Sequence, residues 1–223
     1  MSEENSSGQN SAPVDTKKRL SYAPFFIALG IAAVVVVAGL YVMSQGEKFK
    51  PVGVGTRAYD FELPNLEGKT VKLSDYAGKV IFLNFWATWC EPCKEEMPSM
   101  EQLSGALNGQ PFVVIAVSID SEKAEVVKEF TDSYRLTFPI VHDRKGKIRD
   151  LFKTTGVPET YMIDQDGVIA EKVLGGRNWA DKNNLQVVSY LLQNGPMKPE
   201  EYKNFYKDKK LPSTEDYGSQ TIY

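Results

Sequence analysis

The chain has 223 residues, 42% hydrophobic and 25% charged, which allows one well-buried core beside smaller non-globular parts. Its formal net charge is -3, and its lysines and arginines are scattered instead of forming a stripe, which argues against nucleic acid as a partner. With only two cysteines, Cys90 and Cys93, a multi-bridge scaffold and a four-thiolate zinc site are both excluded.

Residues 1–20, rich in Ser, Glu and Asn without an apolar period, are predicted to form a disordered cytoplasmic tail. No charge then occurs between Arg19 and Glu47, and the run from Ala23 to Met43 is long enough for a bilayer core ~30 Å thick. Residues 21–45 are therefore expected to be a single transmembrane anchor. Pro24 suits its first turn, and Tyr22 and Tyr41 fall near the two interfaces. Lys17, Lys18 and Arg19 precede the run, whereas Lys48 and Lys50 beyond it accompany Glu47, so the positive-inside bias puts the N-terminus in the cytoplasm. The rest of the chain is then expected outside the cell membrane, on its periplasmic side. A cleaved secretory signal fits less well, because the run exceeds ~7–15 residues and lacks an Ala-x-Ala end.

After a linker from Lys50 to Thr56, the segments Phe61 to Leu63 and Thr70 to Leu73 flank Asn65-Leu66-Glu67-Gly68 and predict a hairpin. Val80 to Trp86 and Phe112 to Ile119 are nearly continuous apolar runs, as expected of central strands covered on both faces. Between them Met97, Met100, Leu103 and Leu107 recur at helical spacing; Val126, Val127, Phe130 and Tyr134 do so afterwards. Phe138 to Val141, Thr160 to Ile163 and Val168 to Leu174 predict three more strands, the last two joined across Asp164-Gln165-Asp166-Gly167. Leu185, Val188 and Leu192 mark a final helix. The order predicts an α/β domain over residues 52–193, a mixed sheet flanked by helices and preceded by a hairpin. Residues 194–223 are expected to be a partly disordered or loosely packed tail.

The segment Trp86-Ala87-Thr88-Trp89-Cys90-Glu91-Pro92-Cys93 joins the first central strand to the first amphipathic helix, with Pro92 fit for its opening turn. Cys90 therefore falls at a helix N-terminus, where free amides and the dipole lower a thiol's pKa from ~8.5 and favour the thiolate. Cys93, one turn on, can attack Cys90's sulfur and resolve a mixed disulfide with a partner. A static bridge closing so short a loop would stabilise little. Trp89, Glu91 and Pro92 surround the sulfur and are candidate contacts for that partner, with Glu91's charge opposing the thiolate. No metal or cofactor is called for.

These residues, with Gly156-Val157-Pro158-Glu159-Thr160 and the strand Val80-Ile81-Phe82-Leu83-Asn84-Phe85-Trp86, resemble the thioredoxin superfamily. Within it, the chain from about Val52 to Gln193 is similar to the TlpA/ResA-like membrane-anchored branch, leading hairpin included. The resemblance implies a thiol-disulfide oxidoreductase acting on protein thiols and disulfides outside the cytoplasm. Apocytochrome c is one implied substrate, and a membrane thiol carrier the implied electron source. It also implies a cis peptide bond at Val157-Pro158 beside the cysteines, with backbone that pairs with a bound partner. At the position of Asn84 thioredoxin has a buried aspartate that moves protons at the inner cysteine. Glu96, three residues after Cys93 on the same helical face and matching a glutamate of the ResA-like pattern, is the candidate replacement.

Two other functions compete for the same residues. Peroxide-reducing relatives share the hairpin, but their Pro and Thr, seven and three residues before the cysteine, are Leu83 and Ala87 here. A non-enzymatic copper-handling site would enlist Cys90, Cys93 and His142, the last expected in a loop end with a capping or surface role, whereas a pure interaction domain would function without Cys90.

Overall fold

The computed structural model of the chain describes residues 23–46, 52–198, 201, 202 and 205. They belong to two units, Met1–Lys50 and Pro51–Tyr223. In the first, α1 spans Ala23–Gly46, with side chains described over 26–41. Ile27, Leu29, Val35 and Leu40 are all exposed, so over residues 26–41 the helix is apolar around its circumference. Among the described residues no helix is long and apolar enough to cross a membrane. The stretch with described side chains is shorter than the about 20 residues a span requires. The tail expected over 1–20 lies outside the described residues.

The second unit opens with β1 (Glu62–Pro64) and β2 (Thr70–Lys72), an antiparallel pair that sets Leu63 opposite Val71. Their turn is held by Asn65, whose Oδ1 accepts from the amides of Glu67 and Lys69, while Gly68 takes φ 79°, a left-handed value that glycine adopts without a Cβ penalty. The main sheet combines β3 (Val80–Trp86), β4 (Phe112–Ser118), β5 (Ile140–His142), β6 (Glu159–Ile163) and β7 (Ile169–Leu174). Their order is β5-β4-β3-β6-β7, with β3, β4 and β5 parallel and β6 and β7 antiparallel. Helices α2 (Glu91–Ala106), α3 (Ala124–Ser133), α4 (Lys147–Phe152) and α5 (Gln186–Asn194) complete the unit. This is the thioredoxin-like mixed sheet expected, with its leading hairpin.

Strand periodicity decides which side chains meet the cysteines. Every β3 residue is buried. Val80, Phe82 and Trp86 enter a core with Cys93, Met97 and Met100 of α2, whereas Ile81, Leu83 and Phe85 join a second core with Phe61, Phe152 and Tyr161. Each such side chain contributes about 1.5–3 kcal/mol when fully buried. Asn84, by the same alternation, lies on the α2 side, opposite Thr160 of β6. Its buried Nδ2 has two acceptors there, Glu96 Oε1 and Thr160 Oγ1, which offset the cost of burying it.

The structure departs from expectation in two places. α4 was not anticipated: it has six residues, too few to display a helical period, and enters through Gly146 at φ 66°. His142 is not in a surface loop but ends β5, buried, its Nε2 2.8 Å from the Asp120 carbonyl. Past Gly195 the chain keeps contact with the core where it is described. Met197 and Tyr202 are buried in the α2-side core, and Tyr202 Oη–H donates to Asp164 Oδ2, so packing extends past Gln193.

Candidate active site

β3 delivers the chain to the C-terminal end of the parallel strands, and Ala87 to Trp89 turn it into α2. The turn is fixed from β4's end. Thr88 N–H and Oγ1–H both donate to the Asp120 carboxylate, at 3.0 and 2.6 Å, and Ser118 Oγ–H donates to the same group at 2.8 Å. Three donors satisfy an acid that is itself fully buried. Cys90 then caps α2 in extended geometry, with a proline in the helix's first turn.

Cys90 and Cys93 are joined by a disulfide. The Cys93 amide lies 3.3 Å from Cys90 Sγ and points its hydrogen at it. Cys90 Sγ is also 3.5 Å from the carbonyl oxygen of Val157, and Val157–Pro158 is cis. The structure thus brings together Cys90, Cys93, Val157 and Pro158. Access is asymmetric: Cys90 retains 5% of its surface, Cys93 none, and the neighbouring Trp89 is 65% exposed. Glu91 and Pro92 are exposed at the start of α2, and Glu91's charge is paired with Lys94 Nζ at 2.9 Å. That pair offsets the repulsion Glu91 was expected to exert on a thiolate.

Glu96 is buried one turn after Cys93. Its Oε1 accepts from Asn84 Nδ2 at 2.8 Å, and its Oε2 from Trp179 Nε1 at 3.0 Å and the Arg177 amide at 3.3 Å. Asn84 Nδ2 also donates to Thr160 Oγ1 at 3.0 Å. Burial pushes the Glu96 carboxyl up to about 7, and the bonds from Trp179, Asn84 and Arg177 oppose that rise without cancelling it. A carboxyl poised there can take or return a proton near neutral pH. Sequence spacing pointed to Glu96 but not to Arg177 or Trp179, which lie in the loop after β7 and carry no motif. Glu96 also borders a cleft of ≈ 470 Å³ lined by residues including Pro92, Glu95, Ser99 and Arg177.

The other candidates are not assembled. His142 is committed to the Asp120 carbonyl, and among the described residues no three His, Cys, Asp or Glu side chains could hold a metal ion. Leu83 and Ala87 are apolar and buried, and they supply neither the proline nor the threonine hydroxyl of the peroxidase pattern.

A cysteine pair at the N-terminus of the helix after a central strand, in a thioredoxin-like sheet and beside a cis X-Pro bond, defines a thiol-disulfide oxidoreductase. The chain belongs to the AhpC/TSA family of thioredoxin-like proteins, which it matches over residues 54–172. It is 39% identical over 171 residues to the thiol-disulfide oxidoreductase ResA of Oceanobacillus iheyensis, covering 75% of this chain and 88% of that one. It is 43% identical over 129 residues to the thioredoxin-like protein YneN of Bacillus subtilis, covering 56% and 75%. Among solved structures, a candidate DsbE thiol:disulfide interchange protein from Chlorobium tepidum superposes with a TM-score of 0.59 at 32% identity, covering 65% of this chain and 99% of that one.

Proposed function

We propose that the protein is a membrane-tethered reductase of disulfides in exported proteins, with its N-terminus in the cytoplasm and its catalytic unit outside. The observation that carries the chemistry is the placement of Cys90 at the N-terminus of α2, with the Cys93 amide aimed at its sulfur. In the reduced enzyme that amide and the helix dipole stabilise the Cys90 thiolate. The thiolate attacks one sulfur of a partner's disulfide; that S–S bond breaks, and the other partner sulfur leaves as a thiolate. Cys93 gives its proton to Glu96 and attacks Cys90's sulfur. The mixed disulfide breaks, the partner's second thiolate departs, and two electrons have passed from the Cys90–Cys93 dithiol to the partner. A second dithiol, here a membrane thiol carrier, returns the pair to the reduced state.

Trp89, Glu91, Pro92, Val157 and Pro158 form the surface on which the partner lies, and the Val157 carbonyl's nearness to Cys90 supports this. Apocytochrome c is the substrate that the ResA-like resemblance implies. The tether reading is supported by α1, apolar on every side, and by the basic residues that precede it. Two experiments test the function. In cells, Cys93→Ala accumulates mixed disulfides with exported proteins, apocytochrome c among them; adducts with cytoplasmic proteins alone contradict it. A phosphatase reporter fused after Tyr223 is active outside the cytoplasm; activity confined to the cytoplasm refutes the topology.

A further inference from the structure

The carboxylate of Glu96 is gripped by a stretch of chain some eighty residues away. Trp179 is fully buried, its ring edge-to-face on Phe82 with centroids 4.7 Å apart, and its indole N–H donates to Glu96 Oε2 at 3.0 Å. The loop that carries it is pinned to α2 at two further points: the Arg177 amide donates to the same Oε2 at 3.3 Å, and the Trp179 amide donates to Ser99 Oγ at 2.9 Å. Gly176 passes so near the first turn of α2 that a Cβ there would come within 2.9 Å of the Pro92 carbonyl. Packing on Phe82 needs only an aromatic ring. The indole nitrogen is the part that a phenyl group lacks, and it is spent on the acid.

We infer that Trp179 is a positioning residue: its indole N–H fixes the Glu96 carboxylate in the buried site one turn from Cys93. This rests on the reading of Glu96 as the acceptor of Cys93's proton. With only the longer Arg177 amide bond left at Oε2, the buried carboxylate is charged at greater cost and holds its proton to higher pH, which removes it from service as an acceptor. The charged and titratable groups around it are the two cysteine thiols of the reduced enzyme, Glu95, exposed on α2, and Arg177, whose Nη1 lies 3.8 Å from Glu171 of β7. Asn84, facing it from β3, is neutral.

The test uses Trp179→Phe in the full-length chain. In the oxidised protein neither cysteine titrates, so the Glu96 carboxyl is followed by carbon-13 NMR with its signal resolved from that of Glu171, which is also raised to about 7. Its midpoint is expected to rise by about one pH unit, the size of one lost charge-assisted hydrogen bond. In the reduced variant the pH profile of disulfide exchange moves up by the same interval, and the rate at pH 7 falls three- to tenfold by that shift. An unmoved carboxyl midpoint overturns the inference. A second measurement needs no variant: in the wild-type protein the Trp179 indole proton must titrate with the Glu96 carboxyl, and an indole signal constant from pH 5 to 9 also overturns it. A Glu96→Gln enzyme with an unchanged exchange profile sinks the acceptor reading itself, while the NMR titrations still report whether Trp179 holds the acid.

Discussion

Asn84 Nδ2 donates to Glu96 Oε1 at 2.8 Å, joining the central strand to the cysteine helix through a fully buried amide and a nearly buried acid. A second acid at position 84 would face Glu96 in a site with room for one negative charge. Asn84→Asp is expected to lower the melting temperature, with a deficit that widens as pH rises from 5 to 8. Thermal unfolding across that range checks it; a deficit independent of pH goes against it.

Glu96 itself links stability to pH. Burial raises its folded value to about 7 from an ordinary 4.5, so the protonated acid favours folding. That contribution is fully present below about pH 4.5 and is lost as pH rises through about 7. Glu96→Gln removes the dependence. The stability of the variant relative to wild type should therefore climb between pH 4.5 and 8 by up to about 3 kcal/mol. Urea unfolding at several pH values checks this. Glu171 is raised to about 7 as well, mainly by burial, and contributes the same slope to both proteins, so the difference isolates Glu96.

Asp120 secures the turn that presents Cys90. Asp120→Ala strands the Thr88 amide and the Ser118 hydroxyl, each worth about 1–3 kcal/mol when buried without a partner. The expected result is lower stability together with slower alkylation of reduced Cys90, because the cap that stabilises its thiolate loosens. Stability lost with Cys90 reactivity intact would show that the turn does not depend on Asp120.

The segment beyond α5 belongs to the core in the places described. Tyr202→Ala removes a buried ring and a hydrogen bond to Asp164, a change expected to cost about 3–5 kcal/mol, in the range of large-to-small core substitutions. Chemical denaturation measures it. A cost below about 1 kcal/mol, as for a surface change, would contradict the packing.

Much of the fold could be read from local pattern, because long apolar runs such as Val80 to Trp86 and the helical spacing of Met97, Met100 and Leu103 are properties of neighbouring residues. The Cys90–Cys93 spacing was equally local, and Glu96 sits one turn from Cys93. What could not be read were contacts made at a distance. Trp179 and Arg177 reach Glu96 across more than eighty residues, and His142 is buried because β5 pairs with β4 beside Asp120. Tyr202 gave no periodic signal, since a single ring filling a gap against Asp164 has none. α4 was too short to announce itself.

The central claim is that Cys90 is an activated thiolate whose exchange is completed by Cys93. Its most direct measurement mixes the reduced full-length protein with excess glutathione disulfide and follows thiol release and the mass of the chain against pH. Wild type should release two thiols per chain and close the Cys90–Cys93 bond, with the attack half-maximal well below pH ~8.5, the ordinary cysteine value. Cys93→Ala should stop at one thiol and one glutathione attached to Cys90. Failure of the wild-type chain to release thiols, or attack that rises only at the ordinary cysteine value, would contradict the account.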